Sequence, residues 1–220
     1  MPPPTTTHRT PEQIVKENLY FDSAGYMFRA MSWLEYSADD VFPSLIYSSI
    51  EARLGIEHLL FEELVISTGA NLTKADYERL LRDGKLEKAI QRLSPDYQKL
   101  QEFTLAIVSV EPRAPRLITW DIRELMKGWG KLSAYLHWTG ARTDTVEDPA
   151  WSAAARTELD MIIRPIWDKL MTAQSGIMHP SQMHLEVRAV WTDFRDGKID
   201  ISSVKTRLEI LRPVLLQEYA

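Results

Sequence analysis

The sequence contains no cysteine among its 220 residues. This absence excludes disulfides, thiolate zinc sites, iron–sulfur clusters and cysteine nucleophiles, and it fits a reducing compartment. No run of 18 apolar residues occurs, and residues 1–10 are rich in proline and threonine with no apolar stretch. We therefore expect neither a membrane span nor a secretory signal, and the expected location is the cytoplasm.

Glycine is also scarce. Only 9 glycines occur, and no Asn-Gly or Gly-Gly pair is present, which argues against a sheet built from tight hairpins. With 45% hydrophobic and 26% charged residues, the chain has the composition of an ordinary globular protein. Its apolar residues recur at alternating steps of four and three, which is the period of amphipathic helices. The sequence therefore predicts an all-α fold.

The predicted fold is a helical bundle with two long central helices, at residues 43–68 and 117–138. An apolar stripe from Tyr20 to Val41 predicts a further helix over residues 11 to 41, of about 30 residues, that ends before Pro43. Thr10 and Gln13 form a capping-box pattern at its start, and Ser202 or Ser203 is predicted to cap the last helix.

The polar, turn-rich stretch between Gly140 and Asp148 is the best internal boundary. It predicts three parts: a disordered N-terminal tail over 1–10, the bundle over 11–140, and a smaller C-terminal helical subdomain over 149–220 that packs on the bundle.

Several common chemistries have no motif here. The sequence holds no Gly-rich phosphate loop, no His-Glu-x-x-His, no Gly-x-Ser-x-Gly and no Glu-x-x-His pair of a di-iron bundle. Residues 178–184 bring His179 and His184 together with two methionines, which could ligate copper, but a helix start explains them better. We therefore expect no cofactor and no metal.

Charge is distributed unevenly. The whole chain carries a net charge of −5, residues 12–63 carry −7, and residues 113–142 carry +4. Two interpretations stay open for the basic segment: attraction between packed helices, or a local anion-binding surface.

The predicted helix over 43–68 places Arg53 and Glu57 within an apolar seam. Buried charges must be paired, and two residues one turn apart can pair with each other. In the alternative interpretation, Arg53 and His58 line a cleft in which a phosphate is held and a proton is moved.

The segment YSSIEARLGIEHLLFEE, from Tyr47 to Glu63, resembles the Arg-x(4–6)-His signature of HEPN-like domains through Arg53 and His58. The helix that ends in KLSAYLHW, at residues 131–138, is similar to a helix of such bundles. The resemblance covers about residues 11–140. It implies a small all-α bundle with two long antiparallel helices, and many members of the family dimerise. Catalytic members cleave RNA without a metal in toxin–antitoxin and antiviral systems, whereas non-catalytic members are binding modules.

The resemblance implies a catalytic pair of Arg53 and His58. Metal-free RNA cleavage needs a base for the 2′-hydroxyl, which is a role for His58, and a cation to stabilise the phosphorane, which is a role for Arg53. Further candidate binding residues are Glu57, Lys127, Lys131 and His137. The alternative for His137 is a histidine that caps a helix C-terminus.

Two functions therefore stay open. The first is a non-catalytic HEPN-like interaction module of a prokaryotic toxin–antitoxin or antiviral system, which the negative net charge favours. The second is a metal-independent HEPN-type ribonuclease that uses Arg53 and His58. We expect a homodimer or a helical protein partner, with RNA as a further candidate ligand.

Overall fold

The computed structural model describes residues 4–16, 22–36, 41–111, 118–137, 148–172 and 177–219. About 80% of these residues are helical, and none of them lies in a strand. The predicted all-α class is therefore confirmed.

Eleven α-helices and one 3₁₀ turn occur in these described ranges. They are α1 (Pro11–Lys16), α2 (Ser23–Glu35), α3 (Val41–Ser67), α4 (Lys74–Asp83), α5 (Leu86–Leu93), α6 (Tyr97–Val110), α7 (Ile122–His137), α8 (Pro149–Thr172), the 3₁₀ turn (Pro180–Gln182), α9 (Leu185–Arg195), α10 (Ile201–Ile210) and α11 (Arg212–Tyr219).

The prediction of one helix over residues 11 to 41 is wrong. Asp22 has an extended backbone (φ −118°, ψ 178°), and its carboxylate accepts a hydrogen bond from the Gly25 amide, so a new helix begins there. Tyr36 is extended as well (ψ 117°) and ends α2. The predicted apolar stripe is buried within α2, where Met27 and Met31 are fully buried. Local capping by Asp22 therefore decides the boundary that periodicity alone misses.

Helix α3 is the most deeply buried long helix in the described part of the chain, as the sequence predicts. Its buried apolar residues are Leu45, Ala52, Ile56, Leu59, Leu60 and Leu64. Gly55 lets α2 approach closely, since a Cβ there would lie 2.9 Å from Cε of Met27. Helix α7, also predicted as central, is one-sided: only Leu125 and Leu132 are buried among its described side chains.

Local capping patterns predict one helix start correctly and another wrongly. The hydroxyl of Thr10 accepts from the Gln13 amide at 3.3 Å, and the Gln13 side chain accepts from the Thr10 amide at 2.8 Å, so the predicted capping box is confirmed. The cap of α10 is neither Ser202 nor Ser203. Asp200 takes that position, and its carboxylate accepts from the Ser203 amide at 2.8 Å. A carboxylate also lies favourably near the positive end of the helix dipole.

The chain separates into two compact units. The first consists of Met1–Leu59 and Asp121–Met171, and the second consists of Leu60–Trp120 and Thr172–Ala220. This division differs from the predicted boundary at 140–148, because α8 belongs with the first unit. Arg156 of α8 donates hydrogen bonds to the carbonyl oxygens of Leu34 (2.5 Å) and Tyr36 (3.4 Å), where α2 ends.

Residues 4–10 lie against α2, whereas the sequence predicts a disordered tail there. Arg9 is buried, and its guanidinium donates to the Ser32 hydroxyl at 2.8 Å and to the Gln13 carbonyl at 2.9 Å. The same guanidinium lies 4.2 Å from the centre of the Phe28 ring. A buried arginine with these partners fixes the segment that carries it.

Gly69 and Gly84 provide a matched test of packing in the second unit. Both have positive φ (62° and 58°), but a Cβ on Gly69 would lie 2.5 Å from the His179 ring, whereas a Cβ on Gly84 would meet no atom within 4 Å. We expect Gly84→Ala to lower the free energy of unfolding by about 1–2 kcal/mol through backbone strain. Gly69→Ala should cost about 1–3 kcal/mol more through overpacking.

Urea denaturation measures both losses. His179→Ala combined with Gly69→Ala should remove most of the additional loss, relative to His179→Ala alone. Equal losses for the two glycine variants would contradict the packing of His179 on Gly69.

Candidate functional site

Arg53 belongs to a three-residue cluster on α3 and α7. Its Nε lies 3.3 Å from Oε1 of Glu57, one turn along α3. Its guanidinium lies 4.5 Å from the centre of the Trp129 ring, and the indole N–H of Trp129 donates to the same Glu57 oxygen at 2.8 Å. The cation therefore has an ion-pair partner and an aromatic partner, and these two partners are bonded to each other.

The burial of this cluster differs from the prediction. The side chains of Arg53 and Glu57 are 28% and 36% exposed, so the pair lies at the edge of the apolar seam. The predicted pairing is present, but solvent reaches it. A partly exposed ion pair of this kind contributes about 0–1 kcal/mol, and the contact with Trp129 adds about 0.5–2 kcal/mol.

His58 is directed at a different neighbour. Its ring lies 4.6 Å from the ring of Tyr26 on α2, at an interplanar angle of 37°. Arg29 covers the same tyrosine, with its guanidinium 4.6 Å from the ring centre. Positions five apart on a helix point about 140° away from each other. The two predicted catalytic side chains therefore contact different helices, Arg53 on α7 and His58 on α2.

A second ion pair on α3 lies beside this tyrosine. Nε of Arg29 is 2.9 Å from Oε2 of Glu51, and the arginine side chain is only 7% exposed. Burial raises the pKa of Glu51 above its usual value, and the attraction and hydrogen bond of Arg29 oppose that rise. This pair joins α2 to α3 and is structural in character.

The predicted binding lysines form ion pairs of their own. Nζ of Lys127 lies 2.5 Å from Oε1 of Glu124 on the same helix, and Nζ of Lys131 lies 3.4 Å from Oε1 of Glu158 on α8. Both lysines are exposed, so these pairs contribute little to stability. His137 is the last residue of α7, and its side chain lies outside the described part of the structure.

His179 and His184 act at helix starts, as the sequence predicts. Nδ1 of His179 accepts from the Ser181 amide at 3.2 Å, and Nδ1 of His184 accepts from the Glu186 amide at 3.4 Å. Burial and the nearby positive charge of Arg188 lower the pKa of His179. Across the described residues, no three histidine, aspartate or glutamate side chains form a group that could hold a metal ion.

Sequence reasoning missed a basic groove between α4 and α5, called here the α4–α5 groove. It has a volume of about 470 Å³ and is lined by Arg79, Leu80, Arg82, Asp83, Lys85, Lys88, Ala89 and Arg92. Five of these eight residues are cationic. The sequence does contain a signal for this groove, because its cations are spaced at steps of three and four residues. Acidic residues lie between them and keep the net charge of the segment low, so a count of net charge does not reveal it.

A second groove in the same unit has a volume of about 490 Å³. It combines apolar and polar lining residues, among them Leu72, Thr68, His179, Arg188 and Trp191. Arg188 donates to the carbonyl oxygens of Ser181 and Met183, while its buried Nε has no hydrogen-bond partner among the described residues. The charges of this groove are mixed, so it favours no single ligand chemistry.

The Arg53 cluster is tested by mutation. We expect Arg53→Ala to lower the free energy of unfolding by about 1–2 kcal/mol, through loss of the ion pair and of the contact with Trp129. A fully buried pair would cost about 3–5 kcal/mol. Combined with Trp129→Leu in a double-mutant cycle, the coupling energy should exceed about 0.5 kcal/mol.

Lys127→Ala serves as the control, since it removes an exposed ion pair on α7 and should leave the stability nearly unchanged. Chemical denaturation measures each variant. A negligible loss for Arg53→Ala, or the absence of coupling to Trp129, would show that the cluster does not hold Arg53 in place.

Comparison of the chain with protein-family models, with curated proteins and with solved structures gave no match. The described helices include none with the length and apolar character that crossing a membrane requires. The geometry of the residues themselves is therefore the basis for a functional proposal.

Proposed function

We propose that the chain is a non-catalytic, HEPN-like helical interaction module of a prokaryotic toxin–antitoxin or antiviral system. The proposed module acts in the cytoplasm and binds a second copy of itself or a helical protein partner. The observation that carries the proposal is the engagement of Arg53 by Glu57 and Trp129, with His58 directed at Tyr26 instead.

Metal-free RNA cleavage requires a base and a cation that act on one phosphate. Arg53 already has an ion-pair partner in Glu57 and an aromatic partner in Trp129, and both would compete with a phosphate for its guanidinium. His58 would in addition have to share a cleft with Arg53, although it packs on another helix. These costs favour a structural role for the pair over a catalytic one.

An exposed apolar surface on α3 supports the interaction role. Tyr47 is 48% exposed and Ile50 is 37% exposed, and residues three apart lie on one face of a helix. The ring of Trp33 packs 5.0 Å from that of Tyr47, which holds the tyrosine in position. A rigid aromatic residue beside an aliphatic one is typical of an anchor for a partner helix.

The oligomeric state tests the interaction role. We expect light scattering to detect a dimer of the wild-type chain, or affinity purification to recover a helical partner. Ile50→Glu should abolish that association, because it places an unpaired charge within the interface. Met161→Glu is the matched control: it is also an exposed apolar residue, on α8 of the same unit, and should leave association unchanged.

A wild-type chain that stays monomeric at high concentration and recovers no partner would contradict this role. Equal effects of Ile50→Glu and Met161→Glu would also contradict the assignment of the surface.

An RNA cleavage assay separates the module from the ribonuclease. We expect no metal-independent cleavage by the wild-type chain. Cleavage that is lost in both Arg53→Ala and His58→Ala, with thermal melts of the variants unchanged, would favour the ribonuclease instead.

A further inference from the structure

The α4–α5 groove is a concave surface in the second unit that is lined mainly by cations. Arg79 and Arg82 line it from α4, Lys85 lies at the turn, and Lys88 and Arg92 line it from α5. Asp83 is its one acidic residue. Cations from two helices thus converge on a single space of about 470 Å³, which is the size of a small-ligand site.

The carboxylate of Asp83 neutralises only part of this charge. Its oxygens lie 3.4 Å from Nε of Arg79 and 3.2 Å from Nε of Arg82, and the hydrogen bond from Arg82 is the main cause of its lowered pKa. Within the described ranges, the side chains of Lys85, Lys88 and Arg92 form no hydrogen bond or ion pair. An anion in the groove would reduce the mutual repulsion of these cations.

The size of the groove favours a compact anion. Helices α4 and α5 have 10 and 8 residues, which corresponds to lengths of about 15 and 12 Å. The excess of four cations in the groove leaves a formal charge of −9 on the rest of a chain whose total is −5. Glu78 and Glu87 lie on the same two helices, and their charges would oppose an extended nucleic acid that follows either helix out of the groove.

We infer that the α4–α5 groove binds a short chain of linked phosphates, as present in inorganic triphosphate or in the phosphate moiety of a nucleoside triphosphate. Arginine forks donate two parallel hydrogen bonds to phosphate oxygens, and lysines supply compact positive charge. None of the residues that line the groove is aromatic, so a base would have no ring to stack on. The phosphates therefore provide the binding energy, and this site is independent of the interaction surface on α3.

The inference is tested by calorimetric titration of the full chain with inorganic triphosphate in low-salt buffer. We expect saturable binding that weakens as salt is added, because the contacts are ionic. A nucleoside triphosphate should bind with about the same affinity, since its base has no partner in the groove. Tighter binding of an RNA oligonucleotide than of triphosphate, at the same groove, would overturn the choice of ligand in favour of nucleic acid.

Lys88→Glu identifies the site. This residue is exposed and unpaired, so the variant should fold normally, and its charge reversal should weaken triphosphate binding at least about tenfold. Lys205→Glu on α10 is the matched control, because it is also an exposed lysine and changes the net charge equally. It should leave the affinity within about twofold. Arg92→Gln is a second groove variant, and it should weaken binding in the same direction.

Thermal melts confirm that all three variants are folded. Equal weakening by Lys88→Glu and Lys205→Glu would mean that only the net charge matters, and it would overturn the site. No binding of triphosphate by the wild-type chain in low salt would overturn the inference altogether, while leaving the proposed interaction role on α3 untouched.

Discussion

Carboxylates of α3 orient this helix against its neighbours, and the packing within each unit depends on that constraint. Glu51, Glu57 and Glu63 each accept a hydrogen bond from a side chain of a different helix. The pairs are Glu51 with Arg29 of α2, Glu57 with Trp129 of α7, and Glu63 with Tyr97 of α6. Apolar packing is not directional and leaves a helix free to turn about its axis. In the first unit, the bonds of Glu51 and Glu57 fix which faces of α3 meet α2 and α7, since a rotated helix would leave these groups unsatisfied. In the second unit, the bond of Glu63 does the same for the contact with α6.

These three bonds differ in their exposure to solvent. Glu63 is only 1% exposed and lies 2.6 Å from the Tyr97 hydroxyl, whereas the side chain of Glu57 is 36% exposed. Burial and the negative charge of Glu63 raise the pKa of Tyr97 far above its usual value, so the phenol remains a hydrogen-bond donor. The buried bond therefore fixes its helix more strongly, because breaking it would strand a carboxylate away from water.

Local signals in the sequence predict the helices well and their partners poorly. The capping box at Thr10 depends on neighbouring residues only, and it is confirmed. Periodicity does not predict the helix start at Asp22, because the spacing of apolar residues carries no information about which side chain caps a helix. Glu63 and Tyr97 are 34 residues apart, so no periodic pattern could pair them. Sequence reasoning paired Arg53 with Glu57 because both lie on one helix, and it could not foresee Trp129.

The cationic side chains of this protein differ in whether neighbouring residues already contact their charged groups. Arg9, Arg29 and Arg53 each combine an aromatic face with a hydrogen-bonding partner, an arrangement that suits a planar guanidinium and not an ammonium. A ligand would have to compete with those partners for the same guanidinium, which lowers its net affinity. In the α4–α5 groove, Lys88 and Arg92 form no hydrogen bond or close ion pair among the described residues, although the charge of Arg92 acts on Asp76. The inferred binding site therefore rests on cations that form no close ion pair in the described part of the fold, and not on the cation that lies beside the apolar seam of α3.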